Sequence, residues 1–221
     1  RGVEVLIPEP CFVCYKPITC MAGGVAVPIT TRAENSFKLT AEELEKAITP
    51  KTKVLVLPYP NNPTGAIMTR SDLEKISEVI IKNNIMVLSD EIYAELTYGR
   101  RHVSIAEIKG MYERTVVIGG FSKAYAMTGW RLGFACGNST LIKAMTKVHQ
   151  YAIMSAPTTS QYAAIEALRN GDDDIEMMKN EYNQRRIVMV NGFNNMGLEC
   201  FNPEGAFYTF PCIKSTKMSS N

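Results

Sequence analysis

Val54-Leu55-Val56-Leu57 runs into Pro58-Tyr59-Pro60-Asn61-Asn62-Pro63-Thr64-Gly65, and Ile85-Met86-Val87-Leu88 runs into Ser89-Asp90-Glu91-Ile92-Tyr93. Each is a short, continuous apolar run that ends abruptly in polar residues. Continuous apolarity fits a strand buried on both faces, whereas a half-exposed strand would alternate. Between the two runs, Ser71 and Glu74 have capping-box spacing, and Leu73, Ile76, Val79 and Ile80 share one helical face. Strand, amphipathic helix and strand in this order predict two parallel neighbours with the helix packed on the sheet.

The same alternation extends in both directions. Val3–Ile7 and Val25–Ile29 precede it, and Thr40 with Glu43 forms another capping box ahead of Leu44, Ala47 and Ile48. Thr115–Ile118 and Leu132–Cys136 follow as further strands. The fold class expected is α/β, a three-layer α/β/α arrangement around a mainly parallel mixed sheet. Beyond Gly137 the character changes, with helices expected over 139–151, 156–170 and 173–195. Gly197, Pro203 and Gly205 then punctuate the short apolar stretches Leu198–Phe201 and Ala206–Phe210. We expect a large domain over 1–172, a connecting helix over 173–195, and the beginning of a smaller α+β domain over 196–221. The chain opens at Arg1 and closes on a polar stretch, which reads as a piece of a longer polypeptide.

Composition narrows the class. Of 221 residues, 46% are apolar and 21% charged, which excludes disorder and a disulfide-built miniprotein. The net charge of +2, from 24 basic and 22 acidic residues, leaves no footprint for nucleic acid or an anionic membrane. There is no bilayer-spanning run and no leader pattern, so the expected location is cytoplasmic. Cys11 and Cys14 read C-x-x-C, with Cys20, Cys136, Cys200 and Cys212 beyond, but only two histidines accompany them. The six are read as reduced cysteines, not as a zinc site or a redox pair.

In open α/β sheets, ligands sit beyond the carboxyl ends of the strands. Three polar segments fall there: Asn61 to Gly65, Ser89 to Tyr93, and Gly119-Gly120-Phe121-Ser122-Lys123. No G-x-x-x-x-G-K-[ST], strand-following G-x-G-x-x-G, H-E-x-x-H or G-x-S-x-G occurs, which argues against P-loop, Rossmann, zincin and α/β-hydrolase chemistry.

Asn62-Pro63-Thr64-Gly65, Ser89-Asp90-Glu91-Ile92-Tyr93, and Ser122-Lys123 followed by Thr128-Gly129-Trp130-Arg131-Leu132-Gly133 together resemble the fold-type I, pyridoxal-phosphate-dependent aminotransferases of class I/II. Their order and spacing are similar to the prokaryotic aspartate/aromatic branch, and the likeness runs down to Pro203-Glu204-Gly205-Ala206-Phe207-Tyr208. The resemblance implies an enzyme that moves the amino group of an L-amino acid to a 2-oxo acid. It also implies a homodimer, because the family builds its site at a subunit interface.

The resemblance also implies roles for particular residues. Lys123 would form the Schiff base with the cofactor aldehyde and later shuttle the proton at the substrate α-carbon. Asp90 would pair with the protonated pyridine nitrogen and keep the ring an electron sink. Tyr93 and Asn62 would both reach the ring hydroxyl, with Asn62 also near the substrate. Arg131 would grip the phosphate through its planar fork. The family often carries a hydroxyl three residues before the lysine, where this chain has Gly120, so Ser122 is taken to compensate. Phe12 would stack on the ring. Glu91 and Trp130 are read as structural, and Arg32, Arg100 and Arg101 as solvated charge. The glycine-containing phosphate loop and the arginine for the substrate carboxylate would lie outside 1–221. C–S β-lyase chemistry on the same cofactor, and a non-catalytic regulatory module of the same fold, are the alternatives.

Overall fold

The structure is a computed structural model and describes residues 2–219; Arg1, Ser220 and Asn221 of the expected outer regions lie outside it. Six strands form one sheet: β1 (Glu4–Glu9), β2 (Val25–Thr30), β3 (Thr52–Leu57), β4 (Met86–Asp90), β5 (Thr115–Gly120) and β6 (Gly133–Gly137). Their order is β2-β1-β3-β4-β5-β6. The first five run parallel, and β6 returns antiparallel along β5. This is the mainly parallel, mixed α/β sheet that the apolar runs predict.

The two-residue period of the strands separates the faces. Leu6, Leu55, Leu57 and Val87 point to one side, where they are buried with Leu44 of α2 (Ala41–Ala47) and Leu73, Ile76 and Ile80 of α3 (Arg70–Lys82). Val5, Val54, Val56, Leu88 and Ile118 point to the other side, where α1 (Tyr15–Met21) packs and an apolar cavity of about 470 Å³ opens. Asp90 continues the alternation of Leu88 and faces that second side, at the carboxyl end of β4.

The capping box of α2 forms as expected, with Glu43 N donating to Thr40 Oγ1 and Thr40 N to Glu43 Oε2. That of α3 does not. The box is Thr69 with Asp72, not Ser71 with Glu74, so the helix starts at Arg70 and Ser71 is already its second residue. Asp72 wins because it is held from two directions: Thr69 N donates to its Oδ2 at 2.8 Å, and Lys38 Nζ reaches the same oxygen at 2.8 Å.

The remaining helices are α4 (Ser139–Ala152), α5 (Thr158–Asn170) and α6 (Asp172–Asn195). No helix among the described residues is long and apolar enough to cross a membrane. After α6, Leu198–Phe201 and Ala206–Phe210 do not form a paired sheet of their own. Isolated bridges lie at their margins, Cys200 to Pro211 and Gly205 to Thr97. Phe201 packs edge-on against Phe37 at 5.5 Å, and Ala206 is buried with Tyr93 and Leu96. Trp130, read as a packing anchor, is instead 47% exposed. Its carbonyl accepts from Ser160 Oγ at 2.7 Å, so its backbone rather than its indole is the attachment.

Candidate active site

The seven residues singled out from the sequence, Phe12, Asn62, Asp90, Tyr93, Ser122, Lys123 and Arg131, line one cavity of about 360 Å³. They come from four strand ends, and the parallel sheet brings those ends to one edge.

Asp90 is held at both carboxylate oxygens. Tyr15 Oη donates to Oδ2 at 2.7 Å, and Ile92 N donates to Oδ1 at 3.2 Å. Burial first, and then the Asp90 carboxylate, push the Tyr15 phenol far above its ordinary range, so it stays a donor. Glu91 turns the other way, as expected. Its Oε1 accepts from Ser89 Oγ at 2.8 Å and Ser104 Oγ at 2.7 Å, and its Oε2 lies 2.8 Å from His102 Nε2.

Tyr93 is 4% exposed, and its hydroxyl lies 2.6 Å from that of Tyr208. Burial drives the Tyr93 phenol up, so it too remains protonated. Asn62 Nδ2 donates to the same Tyr208 hydroxyl at 3.1 Å. Its neighbour Asn61 organises the turn instead, accepting from Thr64 N at 3.1 Å and Thr64 Oγ1 at 2.8 Å, and donating to Pro10 O.

Lys123 follows β5. Its Nζ stands 5.8 Å from the Tyr93 ring centre and 5.9 Å from that of Phe207. Among the described residues it makes no ion pair. The two rings hold the amine inside the cavity, away from any carboxylate among the described residues. Arg131 has a left-handed backbone, φ 54°, and spends one N–H on Thr128 O at 2.7 Å. Thr128 Oγ1 in turn donates to Ser122 O at 2.7 Å. The space for a side chain at Gly120 is tight: a Cβ there would meet Ile92 Cδ1 at 3.0 Å and Leu132 O at 3.2 Å.

Phe12 is about half exposed at the mouth of the cavity, beside Tyr15. In the C-x-x-C pair, burial, Glu9 and Cys14 push the Cys11 thiol up to about 11, and burial followed by Asp90 raises that of Cys14. Both thiols are protonated and unreactive at neutral pH. Arg32, Arg100 and Arg101 are exposed, and Arg100 pairs with Glu204 at 3.0 Å.

Sequence reading quoted Thr128 and Tyr208 within the resembling stretches but assigned no site role to them or to Tyr15. All three line the cavity. Tyr15 directly follows the C-x-x-C pair and Tyr208 closes the Pro203–Tyr208 stretch, but no spacing rule says that a tyrosine will meet a carboxylate 75 residues away or a phenol 115 residues away.

Residues 1–220 match the profile of aminotransferase class I and II. A Bacillus subtilis protein with a provisional aminotransferase name is 53% identical over 219 residues, which is 99% of this chain and 57% of that protein. An aspartate aminotransferase of Pyrococcus abyssi is 45% identical over 99% of this chain and 57% of its own. The aromatic aminotransferase structure from Pyrococcus horikoshii matches with a TM-score of 0.96 at 44% identity, covering 98% of this chain and 59% of that one. The chain therefore spans 57% of the length of the curated relatives named here.

Proposed function

Because the chain belongs to the class I and II aminotransferases, we propose that it is the cofactor-binding part of a pyridoxal-phosphate-dependent enzyme that moves the amino group of an L-amino acid to a 2-oxo acid. The single observation that carries this reading is the meeting of Asp90, Tyr93, Asn62 and Lys123 in one cavity.

The donor set fits the cofactor. A carboxylate, a pair of hydroxyl-directed donors, a primary amine, an aromatic ring and a guanidinium are the groups that a phosphorylated hydroxypyridine aldehyde requires. Bound pyridoxal phosphate supplies an electron sink for the electron pair left at the substrate α-carbon. Asp90 would hold the protonated ring nitrogen, itself steadied by Tyr15 and the Ile92 amide. Tyr93 and Asn62 would donate to the ring oxygen. Phe12 would lie against the ring face. Arg131, with Ser122, would hold the phosphate, and its N–H on Thr128 sets the guanidinium's direction. Lys123 would hold the aldehyde carbon at Nζ, and after exchange for the substrate amine the same nitrogen would take the α-proton and return it to the cofactor's carbon. Asn62, beside that oxygen, would also border the substrate.

The proposal includes the division into 1–172, 173–195 and 196–221, a cytoplasmic setting and a homodimer. The dimer is supported by exposed apolar side chains along α4 and α5, among them Val148, Tyr151, Ile165 and Leu168. Relatives with aspartate and aromatic names both resemble the chain, so the donor amino acid is left as a class.

Borohydride reduction in the presence of pyridoxal phosphate, followed by peptide mapping, tests the reading. One phosphopyridoxyl group on Lys123 is the expected result, with little amino transfer to 2-oxoglutarate from 1–221 alone. Scattered labelling of many lysines and no visible cofactor band would sink it.

A further inference from the structure

We infer that Tyr208 is a positioning residue, the hub through which the 203–208 segment orders the two donors, Asn62 and Tyr93, that face the cofactor. The inference rests on the proposed function for the identity of the ligand, but the hub itself is a property of the chain.

The geometry is direct. Asn62 Nδ2 has only hydrogens to offer, so the Tyr208 oxygen accepts from it at 3.1 Å. Either phenol can donate across the 2.6 Å that separates the Tyr208 and Tyr93 oxygens, and once Tyr93 turns its hydrogen to the cofactor, the Tyr208 hydrogen points at the Tyr93 oxygen. The three groups form a relay in which each bond polarises the next, so Tyr93 becomes a stronger donor than an isolated phenol.

Tyr208 is placed by backbone, not by its own ring alone. Gly205 N and Glu204 N both donate to Gly65 O, at 2.9 and 3.1 Å, and Ala206 N donates to Leu96 O at 2.8 Å. Tyr98 Oη donates to Ala206 O at 2.5 Å, and Arg186 of α6 holds Pro203 O at 2.9 Å. The segment is thereby tied to the turn that carries Asn62 and to the loop that carries Tyr93. Removing one hydroxyl from Tyr208 leaves all of these ties in place.

A donor to the cofactor's ring oxygen draws charge from it and lowers the proton affinity of the nitrogen contributed by Lys123. A weaker Tyr93 raises that affinity. In Tyr208→Phe, the pH midpoint of the bound cofactor's visible absorbance should therefore rise by roughly half a pH unit. The other titratable groups facing the cavity, Tyr15, Asp90, Lys123 and Arg131, are unaltered by the substitution.

The experiment has two arms on the purified protein. In the cofactor-free protein, the Asn62 side-chain amide resonances should move in Tyr208→Phe and stay in place in Tyr112→Phe, which alters an exposed tyrosine remote from the cavity. In the cofactor-loaded protein, the absorbance midpoint should rise while the melting temperature stays within about 2 °C. An unmoved Asn62 amide overturns the hub. A moved amide with an unchanged midpoint overturns its action on the cofactor. A wild-type protein with no cofactor band sinks the proposed function instead, and the first arm then judges the hub alone.

Discussion

The phenol of Tyr15 donates to Oδ2 of Asp90 at 2.7 Å, joining the first turn after β1 to the last residue of β4. The bond is charge-assisted and half-buried, the kind that contributes about 1.5–3 kcal/mol. Tyr15→Phe deletes it and leaves the Asp90 carboxylate with the Ile92 amide as its remaining bond. We expect cofactor affinity to fall about tenfold, the equivalent of 1.4 kcal/mol. Absorbance titration with the cofactor would measure it. Values within twofold of wild type would mean the bond only fills space.

Glu91 should matter for stability and not for the site. It accepts from Ser89 and Ser104 and faces His102, all on the side away from the cavity. Glu91→Ala leaves buried donors without their acceptor, at a cost of about 3 kcal/mol. For a chain of this size that is a fall of roughly 6–12 °C in melting temperature. Cofactor binding measured well below the transition should be unchanged. A melting temperature within about 2 °C of wild type would contradict the network's role.

Asp72 gives a pH dependence whose sign can be worked out. Burial opposes its charge, but the bonds from Lys38 and Thr69 outweigh that and hold the carboxyl below its ordinary value of 3.8. A folded pKa below the unfolded one contributes stability above the unfolded value, and the contribution is lost as pH falls through and below it. Asp72→Asn should therefore be less stable than wild type by about 1 kcal/mol near pH 7, and the gap should narrow as pH falls toward 3.8 and close only below it. Urea unfolding across that range would check it. A gap that widens on acidification would show the sign to be wrong.

Gly65→Ala meets two obstacles. Gly65 has φ +72°, and a Cβ there would fall 2.3 Å from Pro203 Cβ and 2.8 Å from Gly205 O. Left-handed backbone and overlap together should cost about 3 kcal/mol. Because the same contact seats the 203–208 segment, cofactor affinity should fall along with the melting temperature. Gly99→Ala, also at positive φ but with open space around it, should show only the smaller backbone penalty. Equal effects at the two positions would rule out the overlap as the cause.

Much of the fold could be read from local pattern. Val54–Leu57 and Ile85–Leu88 were recognisable as strands because a strand buried on both faces must be apolar at every position. The polar residues after them were recognisable as site candidates because parallel strands deliver their carboxyl ends to one edge. The start of α3 was misread because two capping boxes overlap in the sequence, and the choice between Thr69 and Ser71 is made by Lys38, which is distant along the chain. Trp130 was misjudged because an apolar side chain carries no local mark of whether anything will cover it.

Lys123, Asp90, Tyr93, Asn62 and Arg131 stand in short motifs whose resemblance to a known family singled them out, and the fold brings all five to one cavity. Tyr15 on Asp90, and Tyr208 between Asn62 and Tyr93, could not be found that way. Their partners lie 75, 146 and 115 residues away. Such contacts depend on which strands the sheet sets side by side and on where Gly65 and Leu96 pin the later chain. Local periodicity encodes the strands and helices, but a hydrogen bond exists only at about 3 Å, and that distance is set by packing across the whole domain.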